Sequence, residues 1–264
     1  MLSGFMNTTS QKDHQTMQPF FDKLNVQLAY RVVAEAVERN ILIGRLKIGD
    51  KLPSEFELAK QFGVHRSTVR EGIRLLEQSG LVARVGRTTL EVTLPPFQEI
   101  GSRASRALSM HQVTFRELWE ASMLTEVAAA EMACARMSDD DIAALERNCD
   151  AMAAATEDLD RFVGLDTEFH DLIAQAAGNK VLRLMREPIS VLFLPAGQNI
   201  LPRLKTHHRL IEAHRHIIDA LKRRDATVAR EWMARHMADF KRAYERTGLD
   251  LDAPLQKPAD MLPG

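Results

Sequence analysis

The chain is predicted to be mainly α: an N-terminal winged helix-turn-helix followed by an all-α antiparallel helical bundle of about six helices. Three observations predict this. Residues 52–92 read as a capped short helix, a glycine turn, a second helix with a basic start and two short strands. From about residue 113 onward, apolar residues recur at helical spacing with no convincing strand pattern. A length of 264 residues with 45% hydrophobic and 27% charged content suits two soluble globular domains.

In chain order, residues 1–21 are polar and aperiodic and are expected to be a disordered tail. The first domain is expected over 22–95. Its first helix, roughly 22–43, places Leu28, Val32, Val33, Ala36, Val37 and Ile41 on one face. Ser54-Glu55-Phe56-Glu57 is a capping box, with Ser at the N-cap and Glu at the third helical position. Gly63-Val64 makes the turn, Ser67–Ser79 is the second helix of the pair, and Gly80 ends it. Leu81–Val92 is the wing. Pro95-Pro96 stops it and opens a linker over 96–112.

The helical half follows over 113–247. Thr114-Phe115-Arg116-Glu117 caps a helix to about Met137, and Ser138 starts one to about Ala155. A third runs from about Glu157 to Ala177 and ends at Gly178-Asn179. A fourth begins at Lys180 and is expected to be kinked or split, because Pro188, Pro195 and Pro202 interrupt it. The fifth spans about Lys205–Arg223, and Asp225 caps a sixth to about Thr247. Residues 248–264 are expected to be a flexible tail.

Charge is distributed unevenly. Residues 25–95 carry 11 Lys and Arg against 8 Asp and Glu, whereas residues 113–264 carry 20 against 25. The first domain is therefore the one suited to nucleic acid. Cys134 and Cys149 lie in helical patterns and read as buried structural thiols of a reducing compartment. The N-terminus lacks a secretory pattern, and no apolar run approaches the ~18 residues of a membrane span. The expected location is cytoplasmic.

The groups expected at DNA are Arg66, Ser67, Thr68 and Arg70 at the start of the second helix, and Arg84 and Arg87 in the wing. Ser54 and Glu55 at the start of the preceding helix complete the set. Helix N-termini offer free N–H groups to phosphate, and Arg can bond guanine through two acceptors at once. "GRLKIGDKLPSE", "ELAKQFGV" and "RSTVREGIRLLEQSGLV" together make residues 25–95 resemble the winged helix of the GntR family of bacterial transcription regulators. Phe56 stands where that family often has a DNA-contacting Arg, and His65 replaces the usual small hydroxyl residue.

In the helical half, His214 shares a face with Leu210, Ile211, Ile217 and Leu221, so it points inward, whereas His216 points outward. His236 lies with Trp232, Met233 and Phe240. Asp166 and His170 are one turn apart beside Phe162, Phe169 and Ile173. Burying these four groups costs free energy unless they are paired, and a divalent metal would satisfy all of them. Zinc is the first choice, with nickel, manganese or iron as alternatives, one ion per chain.

"DTEFHDLIAQAAGNKVL", "EAHRHIIDAL" and "AREWMARHM" resemble the FCD ligand-sensing domain of FadR-like GntR regulators. The resemblance implies metal ligands at Asp166, His170, His214 and His236 and a small organic effector beside them. Ser122 stands where the family frequently places an effector-binding Arg. Ser122, Thr125, Asn199 and Arg203 are the candidate effector contacts. The expected function is a ligand-responsive repressor that binds a palindromic operator as a homodimer and senses an organic acid, with aromatic acids included. A metal-dependent enzyme fused to a DNA-binding domain is the alternative. It lacks a His-Glu-x-x-His motif.

Overall fold

The computed structural model describes residues 28–86, 89–204 and 207–255, the side chains of 202–204 excepted. The chain forms two compact units, Met1–Leu94 and Pro95–Gly264.

The first unit runs α1 (Ala29–Leu42), α2 (Glu55–Phe62), α3 (Arg66–Gln78), β1 (Val82–Val85) and β2 (Thr89–Val92). Local chemistry sets each boundary. The Ser54 hydroxyl accepts from the Glu57 N–H at 3.2 Å, and the Glu57 carboxylate accepts from the Ser54 N–H at 2.8 Å. α2 stops at Gly63, whose φ of 66° is left-handed and open to glycine without a steric cost. α3 is capped by His65, whose Nδ1 accepts the Ser67 N–H at 3.3 Å, and so does the work of the small hydroxyl residue it replaces. The wing strands pair antiparallel from Val82↔Val92 to Val85↔Thr89. Val69, Ile73 and Leu76 of α3 close one core with Val37, Leu58, Val82, Leu90 and Val92.

The second unit is helical throughout its described residues: α4 (Phe97–Met110), α5 (Phe115–Arg136), α6 (Asp139–Ala154), α7 (Leu159–Ala176), α8 (Lys180–Leu204), α9 (His207–Lys222) and α10 (Ala226–Arg246). Capping boxes at Thr114/Glu117 and Ser138/Asp141 start α5 and α6, and Asp158 and Asp225 cap α7 and α10. Leu145, Met152, Phe162, Phe169, Ile217 and Leu221 are fully buried between them.

Three expectations are corrected here. Residues 96–112 are not a linker: they hold α4, packed on α8. The contact is close because a Cβ on Gly101 would lie 2.6 Å from the Cβ of Glu187, and Ser105 is also buried. The Phe97 ring lies 5.0 Å beneath the Arg183 guanidinium. α4 brings the bundle to seven helices among the described residues.

α8 runs as one helix, so of the two expected alternatives the split into short helices does not occur. Its three prolines are seven residues apart, about two turns, so their missing N–H groups fall on one side. Leu182, Ile189, Leu192, Ala196 and Ile200 are meanwhile buried in the bundle and hold it intact.

The start of the expected C-terminal tail is pinned. The Leu251 carbonyl accepts the Arg116 N–H at 3.0 Å, the Leu255 N–H donates to the Val113 carbonyl at 3.0 Å, and Asp252 pairs with Arg116 at 2.6 Å. The tail expected over 1–21 lies outside the described residues.

Candidate nucleic-acid interface and metal centre

In the first unit, the start of α2, the start of α3 and strand β1 bring their charged residues together. The Glu55 carboxylate is the centre. It lies 2.8 Å from Arg84, 3.4 Å from Arg66 and 3.5 Å from Arg70, and Arg84 also reaches Glu77 at 2.9 Å. The Arg84 hydrogen bond and the charges of the three guanidiniums outweigh the small burial of Glu55 and hold its pKa below the usual carboxylate range. The arginines stay exposed, Arg66 by 59% and Arg70 by 48% of the side chain, so each keeps donors free for a ligand.

Ser67 differs from its expected role. Its hydroxyl lies 2.7 Å from His65 Nδ1 and is committed to the cap. Ser54 is likewise engaged by Glu57. Thr68 is half-buried, Phe56 is exposed by 68% at the start of α2, and Arg87 lies outside the described residues.

In the second unit, α7 carries Asp166 and His170 one turn apart on the face held inward by Phe162, Phe169 and Ile173. α9 contributes His214 and α10 contributes His236. One ligand atom from each of the four lies within 4.8 Å of every other. His170 Nε2 and His236 Nε2 are 3.1 Å apart, and His214 Nε2 is 3.3 Å from Asp166 Oδ1. This last pair is close without hydrogen-bond geometry: Asp166 Oδ1 and both ring nitrogens of His214 are buried without a hydrogen-bond partner. His214 is fixed by its ring, stacked at 3.7 Å on Phe169.

Two supporting residues escaped the sequence reading. Glu126, buried on α5, accepts from His170 Nδ1 at 2.9 Å and from Arg186 Nε at 2.7 Å. Arg186, buried on α8, also pairs with Asp171. Glu126 is legible in the sequence only as one of two carboxylates in the Ala-rich run EVAAAEMA. Arg186 was hidden in the segment read as broken by prolines.

The electrostatics suit ligation. Burial disfavours charge on His214 and lowers its pKa well below the usual imidazole value. Burial and the neighbouring His170 lower that of His236 to about 3. Both rings are neutral and keep a lone pair. Burial opposes a charge on His170, but Glu126 outweighs it and raises its pKa. Burial would raise Glu126, yet Arg186 and His170 pull its carboxyl down to about 2. Burial raises the pKa of the Asp166 carboxyl. In the neutral His170 ring, with Nδ1–H given to Glu126, the lone pair lies on Nε2, 3.1 Å from His236 Nε2, the usual arrangement behind a metal-ligating imidazole. The donor set and its orphaned atoms therefore fit a divalent transition metal.

Asp166, His170, His236, Glu126 and Arg186 line the floor of a cavity of about 210 Å³, and His214 lies buried behind it. Its walls are apolar, with Ile189, Phe193 and Leu194 from α8, Leu210 from α9 and Phe240 from α10. Ser122, Thr125 and Asn199 are not on it. The first two are buried hydroxyls that donate to carbonyls of their own helix, Trp119 at 3.0 Å and Ala121 at 3.2 Å. The Arg203 side chain lies outside the described residues. His216 is outside the cluster, its ring stacked at 3.9 Å on Trp232. Among the described residues no helix is long and apolar enough to cross a membrane.

Comparison with known proteins agrees with both halves. The profile described as "Bacterial regulatory proteins, gntR family" matches residues 29–92, and that of the FCD domain matches residues 117–239. The Glc operon transcriptional activator of Escherichia coli is 29% identical over 80% of this chain and 87% of its own length. The HTH-type transcriptional repressor NanR of Salmonella newport is 25% identical over 82% and 85%. The solved structure of Streptococcus agalactiae GntR aligns with a TM-score of 0.54 at 24% identity, over 81% of this chain and 99% of that one, and shares the fold. The profiles and relatives belong to regulators of transcription, which removes the enzyme alternative.

Proposed function

Because the chain belongs to the gntR family of bacterial regulatory proteins and carries an FCD domain behind its winged helix, we propose that this DNA-binding transcription regulator is a metal-dependent, effector-released repressor. It acts as a homodimer on a palindromic operator, α3 of each copy entering a major groove. Arg66, Arg70, Arg84 and Arg87 contact the DNA, with Thr68 and the N–H groups at the starts of α2 and α3 on phosphate. Ser54 and Ser67 contribute through the helix starts they cap. Glu55 acts through the arginines it orders, since a carboxylate facing phosphate would repel it.

Asp166, His170, His214 and His236 would hold one divalent metal, zinc first, with nickel, manganese or iron as alternatives. When bound, the metal supplies a Lewis-acidic position for the oxygen atoms of a small organic acid. The cavity walls exclude water from that acid and orient it. Its binding would favour an arrangement of the two reading units with lower operator affinity, and only differential affinity for the two arrangements can do this.

The single observation carrying this reading is the convergence of three imidazoles and a carboxylate, with partnerless buried atoms, beside an apolar cavity that Asp166, His170 and His236 line. Elemental analysis of the purified protein tests it together with operator binding by fluorescence anisotropy. About one metal per chain is expected, lost in His214→Ala/His236→Ala. A protein that binds operator and contains no stoichiometric metal would refute the metal half.

A further inference from the structure

The mouth of the same cavity has a chemistry that the metal reading leaves unused. Three arginines line it, Arg209 on α9 and Arg242 and Arg246 on α10, against a single carboxylate, Asp239. Asp239 pairs with Arg209 at 3.5 Å and with Arg242. Arg246 has no carboxylate partner among the described residues. The rim thus carries a surplus of positive charge facing an apolar-walled space, where field lines concentrate and an anion gains most.

Along α10 the spacing is regular. His236 stands at the floor, Phe240 and Ala243 form the wall above it, and Arg242 and Arg246 follow. At 1.5 Å per residue, Arg242 sits roughly 9 Å and Arg246 roughly 15 Å beyond His236 along the helix axis. Guanidiniums on long side chains can reach back toward the cavity from there. The cavity of about 210 Å³ suits a small molecule that reaches from its floor to its rim.

We infer that the effector is anionic at both ends: a short dicarboxylate, or a comparable dianion with an apolar alkyl or ring centre. One end would meet the metal held by Asp166 and the three histidines, and the other meets Arg242 and Arg246. The inference rests on the proposed docking of the effector at the metal and adds the second charge. A guanidinium binds a carboxylate through two parallel N–H···O bonds, so the rim selects by charge and by distance. Exposed arginines are common on any surface. Here three of them border one cavity, and that makes the surplus specific.

Calorimetric titration of the metal-loaded full chain tests this with matched pairs: hexanoate against adipate, and 4-methylbenzoate against terephthalate. At least one dianion is expected to bind about tenfold more tightly than its monoanionic partner, an advantage that shrinks as salt rises. In Arg246→Gln, and more fully in Arg242→Gln/Arg246→Gln, the advantage should disappear while monoanion affinity stays unchanged. Both positions are exposed, so folding is not at risk. Metal-dependent binding with no preference for either dianion, or a preference untouched in the double variant, overturns this inference alone. Binding that survives metal removal overturns the docking reading and this inference with it.

Discussion

Removing the metal should destabilise the second unit by a measurable and bounded amount. Asp166 Oδ1 and the two ring nitrogens of His214 are buried without hydrogen-bond partners. Each such atom costs about 1–3 kcal/mol when nothing satisfies it. A bound ion removes much of that cost and adds mass-action stabilisation, about 4 kcal/mol when free metal stands at 1,000 times its Kd. For a unit of about 150–250 residues, 1 kcal/mol moves Tm by roughly 2–4 °C. Chelation of the native protein should therefore lower the melting temperature of Pro95–Gly264 by roughly 8–16 °C. The first unit, which holds none of the four ligands, should melt unchanged. Differential scanning calorimetry before and after dialysis against a chelator gives the number, and zinc added back should restore it. His216→Ala, outside the cluster, should retain the shift. An equal Tm with and without metal, when elemental analysis confirms its removal, would refute the reasoning: the orphaned atoms would then not be metal ligands.

Other outcomes follow from the same geometry. Arg66→Ala or Arg70→Ala should weaken operator binding by about 1–3 kcal/mol in anisotropy titrations with no change in Tm; unaltered affinity in both variants would misplace the recognition helix. Glu126→Gln keeps the side-chain volume but removes the charge that fixes His170, and should lower metal affinity about 10- to 100-fold by competition with a chromogenic chelator. Gly101→Ala gains up to about 1 kcal/mol of helix propensity but drives a Cβ to 2.6 Å from that of Glu187. The overpacking cost of about 1–3 kcal/mol wins, and denaturant unfolding of the second unit should shift to lower concentration.

The reading head was legible because its determinants are local. Ser54 with Glu57, Gly63 and the Val69–Ile73–Leu76 spacing each fix a boundary or a face within a few residues. The four residues of the proposed metal site are legible one by one from helical facing, since a polar group flanked by Leu, Ile and Phe at turn spacing must point inward. α4 carries Phe97, Ile100, Ala104 and Leu108 at helical spacing, but Pro95-Pro96 before it and the Ser- and Gly-containing run around Gly101 and Ser105 read as a linker. α8 escaped because proline penalties are local, whereas the burial that overrides them is tertiary. The sequence points for the polar contacts of the cavity to Ser122 and Thr125 on α5 and Asn199 and Arg203 on α8. The structure takes its rim from α9 and α10, where Arg209, Arg242 and Arg246 look like ordinary solvated arginines until the bundle closes.

The seat of Gly101 on Glu187 has a mechanical consequence. β2 ends at Val92, and Thr93, Leu94, Pro95 and Pro96 lead directly into α4, two of them with fixed φ. α4 is clamped along α8, and α8 is the wall that supplies Arg186, Ile189, Phe193 and Leu194 to the cavity. A displacement of that wall by an occupant must either carry α4 with it or prise Gly101 from its neighbour, and close-packed contacts resist the second. α4, which begins directly after Pro95-Pro96, therefore shares its fate with the cavity wall, so that whatever moves α8 moves the first helix of the same unit.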